Sequence, residues 1–467
     1  MLLVLDTARA DAFEPYGAPA GASPNVATMA RDGGHVSRAY APGSWTVPSH
    51  VSMLTGQWSR AVGLGKAPDG TLRSTRPRME RLHDVLLPEV FRRAGYRTAA
   101  ASCNAWISPT GGWDLGFDSF EFVPSPRGHP GRRVGRTMAR WLWRSALADI
   151  DDGARDTETA IRGWFARWDG RDPFFWLVNV VECHSPYLPP RPYNDLGPTE
   201  RLRAIADADR HQTFDAMLRA NLDAHEVPAA SLRRMRHLYG RAIRLLDDWV
   251  GRLLDLLERH GVLDDTIVVV TSDHGENFGE GGRLGHMLSL DERLIHIPFV
   301  ARGPVTLPQD SPWSTIGLPA LLSDAAGLDG PYEPFEAGDP APAQFDPPAD
   351  RDHELVRRMI AELDLDEAAI RRLTEPQTCV VAGDHKLLQH GDAQALVDLA
   401  TDPEEVVAHP PERADARLHA ALAADALWAR LDDDDPATVP DERPPDERPP
   451  DEETARLEEQ MRLLGYL

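Results

Sequence analysis

The chain has 467 residues, 42% hydrophobic and 27% charged, enough for a large core and two or three domains of ordinary size, and that balance excludes collagen, coiled coil and wholesale disorder. Its net charge of −24, from 74 acidic against 50 basic residues, argues against a nucleic-acid-binding surface. The longer apolar runs, such as 1–5 and 174–178, fall far short of the ~18–20 residues a membrane span needs.

Met1–Asp6 (MLLVLD) reads as a buried strand, a short apolar run ended by polar residues. Leu82–Gly95 has the pattern of an amphipathic helix, with Pro88 as a candidate kink and Gly95 as its stop. Tyr96–Ser102 is the next strand. Thr157–Trp168 reads as a helix ended by Asp169-Gly170, and Phe174–Val181 as a strongly apolar strand. Leu232–His260 is a long helix, and Thr266–Thr271 (TIVVVT) a third buried strand. Apolar strands alternating with helices predict a doubly wound α/β sheet covered on both faces. Ligands of such sheets collect beyond the strand C-termini. The polar residues there are Asp6, the Glu182–His184 stretch, and Asp273–His274.

After about residue 330 the character changes. Gly330–Asp352, rich in Pro, Gly and acids, reads as a linker or surface loop. Thr378–Leu399 reads as short strands around a turn, predicting a small C-terminal α+β subdomain within 331–431 on a catalytic domain of 1–330. The PDER-P repeat in 432–453 reads as a disordered acidic linker, and Thr454–Leu467 as a short amphipathic segment that can dock back.

Only two of the basic residues are lysines, Lys66 and Lys386. An acidic, Arg-for-Lys composition suits a halophilic cytoplasm with molar salt, where screening removes self-repulsion; a GC-rich genome writes the same composition for no physical reason. Cys103, Cys183 and Cys379 have no metal-ligand spacing and cannot all pair, which points to a reducing compartment. Met1 opens directly into a strand with no leader-like segment, so the expectation is either a cytoplasmic protein or a gene start assigned a few residues late.

Asp6 at a strand tip is a natural ligand for a hard cation, or a cap for the following turn. Asp273 and His274, closing an apolar strand before Gly275, are the strongest metal-binding feature, although Ser-Asp-His-Gly is also an ordinary turn. In GSWTVPSHVSMLTG (Gly43–Gly56), Thr46 precedes a helix start with Pro48 near its first turn, where free N–H groups favour an anion. His184, His286 and Lys386 are less distinctive, but keeping a lysine in this chain implies that arginine would not serve there.

These stretches together resemble the sulfatases of the alkaline phosphatase superfamily. The resemblance runs through LDTARADAFEPYG, SPNVATMARDGG, AYAPGSWTVPSHVSMLTG, AGYRTAA, GFDSFE, HSPYLPP, TSDHGE, GHMLSLDERLIHIPF and DHKLLQ, in that order, and the closing LGYL is similar to the ends of many archaeal members. It implies an alkaline-phosphatase-like three-layer sandwich with a central, largely parallel sheet. It puts Asp6, Asp273 and His274 on metal-ligand positions, with Thr7 where many members have a second Asp. Thr46 falls on the nucleophile position and His50 on that of the motif's Arg. His184 matches the histidine that contacts the ester. His286 matches a Lys/His that assists the leaving group or binds the anion. Lys386 is implied as a further anion contact, and Asn104, in the segment where the family has Lys and His, as a substrate contact.

The departures matter. Type I sulfatases convert Cys or Ser to formylglycine; with Thr46 in that place no formylglycine is expected. A Thr nucleophile with an Asp-His ligand pair resembles the branch that handles phosphodiesters and phosphonates. The expectation is therefore a hydrolase or transferase of sulfate, phosphate or phosphonate esters, using one divalent cation (Mn²⁺, Mg²⁺, Ca²⁺ or Zn²⁺). Its substrate would be an anionic ester, carbohydrate or lipid-linked. A retired, metal-stabilised binding protein for sulfated or phosphorylated glycans is the alternative.

Overall fold

The computed structural model describes residues 1–66, 71–124, 151–309, 312–336, 338–347, 351–424 and 427. The expected linker 432–453 and terminal segment 454–467 lie outside the described residues. In chain order the strands that build the site are β1 (Leu2–Leu5), β2 (Gly34–His35), β3 (Arg97–Ser102), β4 (Ser119–Phe122), β5 (Phe174–Val180), β6 (Val268–Thr271), β7 (Asn277–Phe278), β8 (Leu284–Gly285) and β9 (Phe299–Arg302). All but β7 and β8, which pair with each other, form a seven-stranded sheet in the order β2-β9-β6-β1-β5-β3-β4. Strand β1 is central and pairs in parallel with β5 (Leu2↔Leu177) and β6 (Leu2↔Val269). Strand β9 runs antiparallel to both its neighbours.

Each strand of the sheet's middle is apolar on both faces because both faces are covered. Leu3 and Leu5 of β1 point into one core, Leu2 and Val4 into the other. The first core is closed by α1 (Pro24–Asp32) and, further along the chain, by Ala154–Arg167 and Ala229–Arg259. The second is closed by α2 (Thr46–Thr55) and α3 (Leu87–Arg93). With Ala154–Arg167 as α4 and Ala229–Arg259 as α5, these are the three layers the sequence implies. Pro88 does not kink a helix. It sits in the first turn of α3, where its missing N–H costs nothing, and the preceding residues form a separate 3₁₀ turn at His83–Val85.

Helix α1 takes its cap from α5. The fully buried Asp247 carboxylate accepts the amides of Asn25 (3.2 Å) and Val26 (2.8 Å) and the Asn25 side-chain amide (2.9 Å). Asp247→Ala is expected to destabilise the protein by about 2 kcal/mol in denaturant titration, and Asp247→Asn by less, because removing the acceptor strands buried donors.

The C-terminal sheet is antiparallel: β10 (Ala341–Phe345), β11 (Gln377–Ala382), β12 (His385–His390) and β13 (Ala393–Asp398). Strand β10 lies inside the stretch read from sequence as a linker or loop. Its five residues are all buried, and it pairs with β11 from Ala341↔Val381 to Phe345↔Gln377. A proline inside it, a proline just before it and the lack of β-branched residues hid it. An edge strand tolerates Pro, and here Gln344 is held by the Leu427 carbonyl at 2.6 Å. One apolar cluster joins this sheet (Ala343, Cys379, Val381) to Leu288, Leu290, Leu294 and Ile295, the segment that follows His286.

Candidate active site

Parallel neighbours put their C-terminal tips at one edge of a sheet, so Asp6 after β1 and Asp273–His274 after β6 lie side by side. The Ser272 hydroxyl joins the tips, 2.6 Å from the Leu5 carbonyl and accepting the Ala8 amide at 2.9 Å. Between them Thr7 has φ +63°, a strained conformation for a β-branched residue. Its amide donates to Asp273 Oδ1 (3.2 Å) and its carbonyl accepts the Tyr239 hydroxyl (2.8 Å). Helix α5 thus holds the turn in place. Gly275 lies against the 292–295 helix so closely that a Cβ there would come within 1.9 Å of the Arg293 carbonyl oxygen, and its amide donates to Leu294 O at 2.7 Å. Close backbone approach is what this glycine provides.

Asp6, Asp273 and His274 are fully buried, and one ligand atom of each lies within 4.8 Å of the others. His274 Nε2 is 3.4 Å from Asp273 Oδ2 and 4.0 Å from Asp6 Oδ1. None of these three atoms has a hydrogen-bond partner. His274 Nδ1 faces the Gly275 carbonyl at 3.0 Å; a carbonyl can only accept, so the proton sits on Nδ1 and the Nε2 lone pair is open. Burial, then the charge of Asp273, pushes the Asp6 carboxyl up to about 6; burial also pushes Asp273 up. Burial, then the neighbouring His286, pushes His274 down to about 3. The cluster as it stands lacks a positive charge, and orphaned oxygens beside a free imidazole nitrogen are the donor set of a divalent cation.

Thr46 is the first residue of α2 and is buried. Asn104, just past β3, donates from Nδ2 to both Thr46 Oγ1 (3.2 Å) and Asp6 Oδ2 (2.7 Å). Its Oδ1 accepts the Trp106 amide at 2.9 Å. Asn104 was expected as a substrate contact. Its amide is instead spent on tying hydroxyl to carboxylate, an orienting role. His50, one turn into α2, was expected among the catalytic groups. Its Nδ1 donates to the Thr46 carbonyl (2.9 Å) with Asp273 Oδ2 3.5 Å away, and its Nε2 accepts from Asn179 (2.9 Å). Both nitrogens are committed away from the Thr46 hydroxyl, so His50 braces the site. Burial holds it below the ordinary imidazole pKa.

The three histidines meet as expected. The His286 ring centroid lies 4.5 Å from that of His274 and 5.2 Å from that of His184. His184 Nδ1 donates to the Ser185 carbonyl at 2.8 Å. Sequence reasoning missed Glu276. It is fully buried, its Oε1 accepts a hydrogen bond from His286 Nδ1 at 3.0 Å, and burial raises its carboxyl to about 7. The β7–β8 hairpin makes the pairing by folding residue 286 back over 276. The available signal was an acid inside TSDHGE, ten residues before a histidine. Arg9 was also passed over; its guanidinium reaches Asp11 (2.6 Å), Glu280 (2.7 Å) and the Glu276 carbonyl (3.0 Å), fixing the hairpin to the β1 tip.

Lys386 is the clearest correction. Its ammonium is buried in β12, hydrogen-bonded to the Leu290 carbonyl and to Glu405 (2.6 Å), with Glu292 at 4.0 Å. Burial is the largest single effect and lowers its pKa, but Glu405, Cys379, Glu292 and Asp291 together hold it above the ordinary lysine value. It binds a protein anion and supports the segment behind His286. The lysine signal was real: a compact ammonium fits where a planar guanidinium would not.

Residues 1–328 match the family model described as Sulfatase. Among curated proteins, the chain is 31% identical over 168 residues to the choline-sulfatase of Rhizobium meliloti, a match spanning 34% of this chain and 33% of that one. It is 24% identical over 459 residues to human iduronate 2-sulfatase, across 88% of this chain and 77% of the relative. Among solved structures, the phosphonate monoester hydrolase of Agrobacterium radiobacter superposes with a TM-score of 0.57 at 20% identity, covering 92% of each chain.

Proposed function

The chain belongs to the sulfatase family, sulfuric ester hydrolases of the alkaline phosphatase superfamily, and from that premise we propose that it is a metal-dependent hydrolase of sulfate, phosphate or phosphonate esters with unmodified Thr46 as nucleophile. The observation that carries this reading is the Asn104 amide, shared between the Thr46 hydroxyl and the Asp6 carboxylate. It ties the attacking atom to the cation cluster.

Asp6, Asp273 and His274, with the buried Thr7 hydroxyl as candidate fourth donor, would hold a divalent cation, which would supply a Lewis acid able to lower a hydroxyl pKa and offset the substrate's charge. Asn104 and His50 fix Thr46, side chain and backbone respectively. Amides of the first turn of α2 favour the substrate's non-bridging oxygens. Thr46 Oγ1 forms a bond to sulfur or phosphorus as the ester oxygen leaves. The Thr46 hydroxyl proton passes to Nε2 of His184 or His286 and from there to the leaving oxygen, while the Ser185 carbonyl and Glu276 hold the two Nδ1 protons in place. Water then releases the oxyanion from Thr46.

A hydroxyl nucleophile favours phosphoryl over sulfuryl transfer, and a relative named iduronate 2-sulfatase supports a carbohydrate ester. A turnover screen of aryl sulfates, phosphodiesters and phosphonate monoesters, each with Mn²⁺, Mg²⁺, Ca²⁺ and Zn²⁺ at high salt, tests the reading. Cation-dependent turnover strongest in a phosphorus arm is expected. No turnover in any arm by folded, metal-loaded protein would sink it.

Composition supports a halophilic, cytoplasmic protein; among the described residues no helix is long and apolar enough to cross a membrane. Unscreened repulsion at a net charge of −24 opposes compaction. The melting temperature should therefore climb from low to molar KCl. A flat or falling curve would leave codon bias as the explanation.

A further inference from the structure

Thr7 combines two unfavourable features. Its φ of +63° puts a β-branched residue in the left-handed region, and its hydroxyl oxygen is fully buried without a hydrogen-bond partner. Glycine or asparagine would take that backbone conformation more easily. Strain of this kind persists only where the surroundings impose it.

The surroundings that impose it are few. The Ala8 amide is served by the β1 and β6 tips, reaching the Leu5 carbonyl at 3.0 Å and the Ser272 hydroxyl at 2.9 Å. The Thr7 carbonyl and the Arg9 amide both turn to one atom of α5, the Tyr239 hydroxyl. It donates to the carbonyl at 2.8 Å and accepts from the amide at 2.8 Å. The Tyr239 ring is buried and packs on Phe278 and Tyr187, with centroids 4.8 and 5.9 Å away, so the hydroxyl has a fixed place. On its other side the Thr7 peptide is held by the cation cluster itself, its amide donating to Asp273 Oδ1 at 3.2 Å. The Cys183 thiol spends its proton on the Asp6 carbonyl at 3.0 Å.

We propose that Tyr239 is a positioning residue of the metal centre: it holds Thr7 in the left-handed conformation that turns the Thr7 hydroxyl to the cation and the Thr7 amide to Asp273. This rests on the reading of Asp6, Asp273 and His274 as a cation site. Without the Tyr239 hydroxyl the Thr7 peptide relaxes toward negative φ. Asp273 then loses a donor that orients it, and the cation loses an oxygen ligand. Tyr239 touches neither cation nor substrate and acts through Thr7 alone.

The test is calorimetric titration of the full-length protein with Mn²⁺ and no ester, so turnover plays no part. Tyr239→Phe removes one oxygen and keeps the ring; it should weaken Mn²⁺ binding about tenfold or more. Thr7→Asn supplies a residue that tolerates the left-handed region and still carries a side-chain oxygen. In that background Tyr239→Phe should weaken binding by less than about twofold. A merely structural hydroxyl would lower the metal-free melting temperature but weaken Mn²⁺ binding equally in both backgrounds, or in neither, and either result overturns the proposal. Thr7→Val keeps the shape and the β-branch but removes the oxygen, and should also weaken Mn²⁺ binding about tenfold. It carries the test if Tyr239→Phe does not fold, and unchanged affinity in Thr7→Val overturns the proposal as well. A parent that binds Mn²⁺ no better than its variants fails this inference alone, whereas a parent that binds none fails the cation reading and this inference with it.

Discussion

Thr46→Ala is expected to lower turnover of the protein's ester by about a thousandfold or more while leaving bound metal and melting temperature near those of the parent. The change removes a nucleophile and little else. Ala is a good helix residue, and Asp6 keeps its hydrogen bond from Asn104 at 2.7 Å. The signature to look for is full metal occupancy without turnover. Thr46→Ser keeps the oxygen but frees χ1, which the β-branched side chain restricts, and should retain activity within roughly tenfold. Thr46→Cys should not make a good sulfatase by itself, because a thiol must be oxidised to formylglycine and the family's supporting Arg is His50, already committed to the Thr46 carbonyl and Asn179. Intact-mass measurement of the peptide carrying Thr46 should find it unmodified. Turnover by Thr46→Ala at the parental rate would end the covalent mechanism in favour of direct attack by water.

Much of the site was legible in the sequence because strand tips are. An apolar run of four to seven residues that ends within a residue or two of Asp or Asp-His predicts a buried parallel strand with a polar group at its C-terminal tip. Asp6, Asp273 and His274 were found in this way, and the sheet brings them together. What failed were questions of pairing. Nothing local says whether the anion for Lys386 is a substrate or Glu405, nineteen residues away in a turn. Nothing local says that Asn104 faces Asp6, or that Glu276 meets His286 across a hairpin. Strand β10 failed for a different reason. Its sequence APAQF lacks the β-branched residues that mark strands, and its burial comes from tertiary partners: the sheet, the Gly43 loop and the apolar cluster around Leu288–Ile295. Pro88 was misread because proline breaks a helix in its interior yet starts one in its first turn.

His274→Ala should cost the protein its divalent cation and, with it, activity, yet leave the metal-free form about as stable as the parent. The ring is fully buried, but its Nε2 makes no hydrogen bond, and its one ring hydrogen bond is from Nδ1 to the adjacent Gly275 carbonyl. Asp273→Asn is the better-behaved partner variant. An amide oxygen can still accept from the Thr7 and His274 backbone N–H groups that Asp273 Oδ1 now serves at 3.2 and 2.9 Å, so the Thr7 turn survives. The charge is lost, and the repulsion that raises the Asp6 pKa is lost with it. Without metal, Asp273→Asn should therefore melt at or above the parental temperature. A cation at about one hundred times its dissociation constant stabilises a protein that binds it only when folded by about 2.7 kcal/mol. Adding Mn²⁺ should raise the parental melting temperature by the corresponding several degrees and move neither variant. Elemental analysis gives the direct count. A cation-dependent shift of equal size in the parent, His274→Ala and Asp273→Asn would place the metal elsewhere, and Thr46 would then lack the neighbour that makes its hydroxyl a nucleophile.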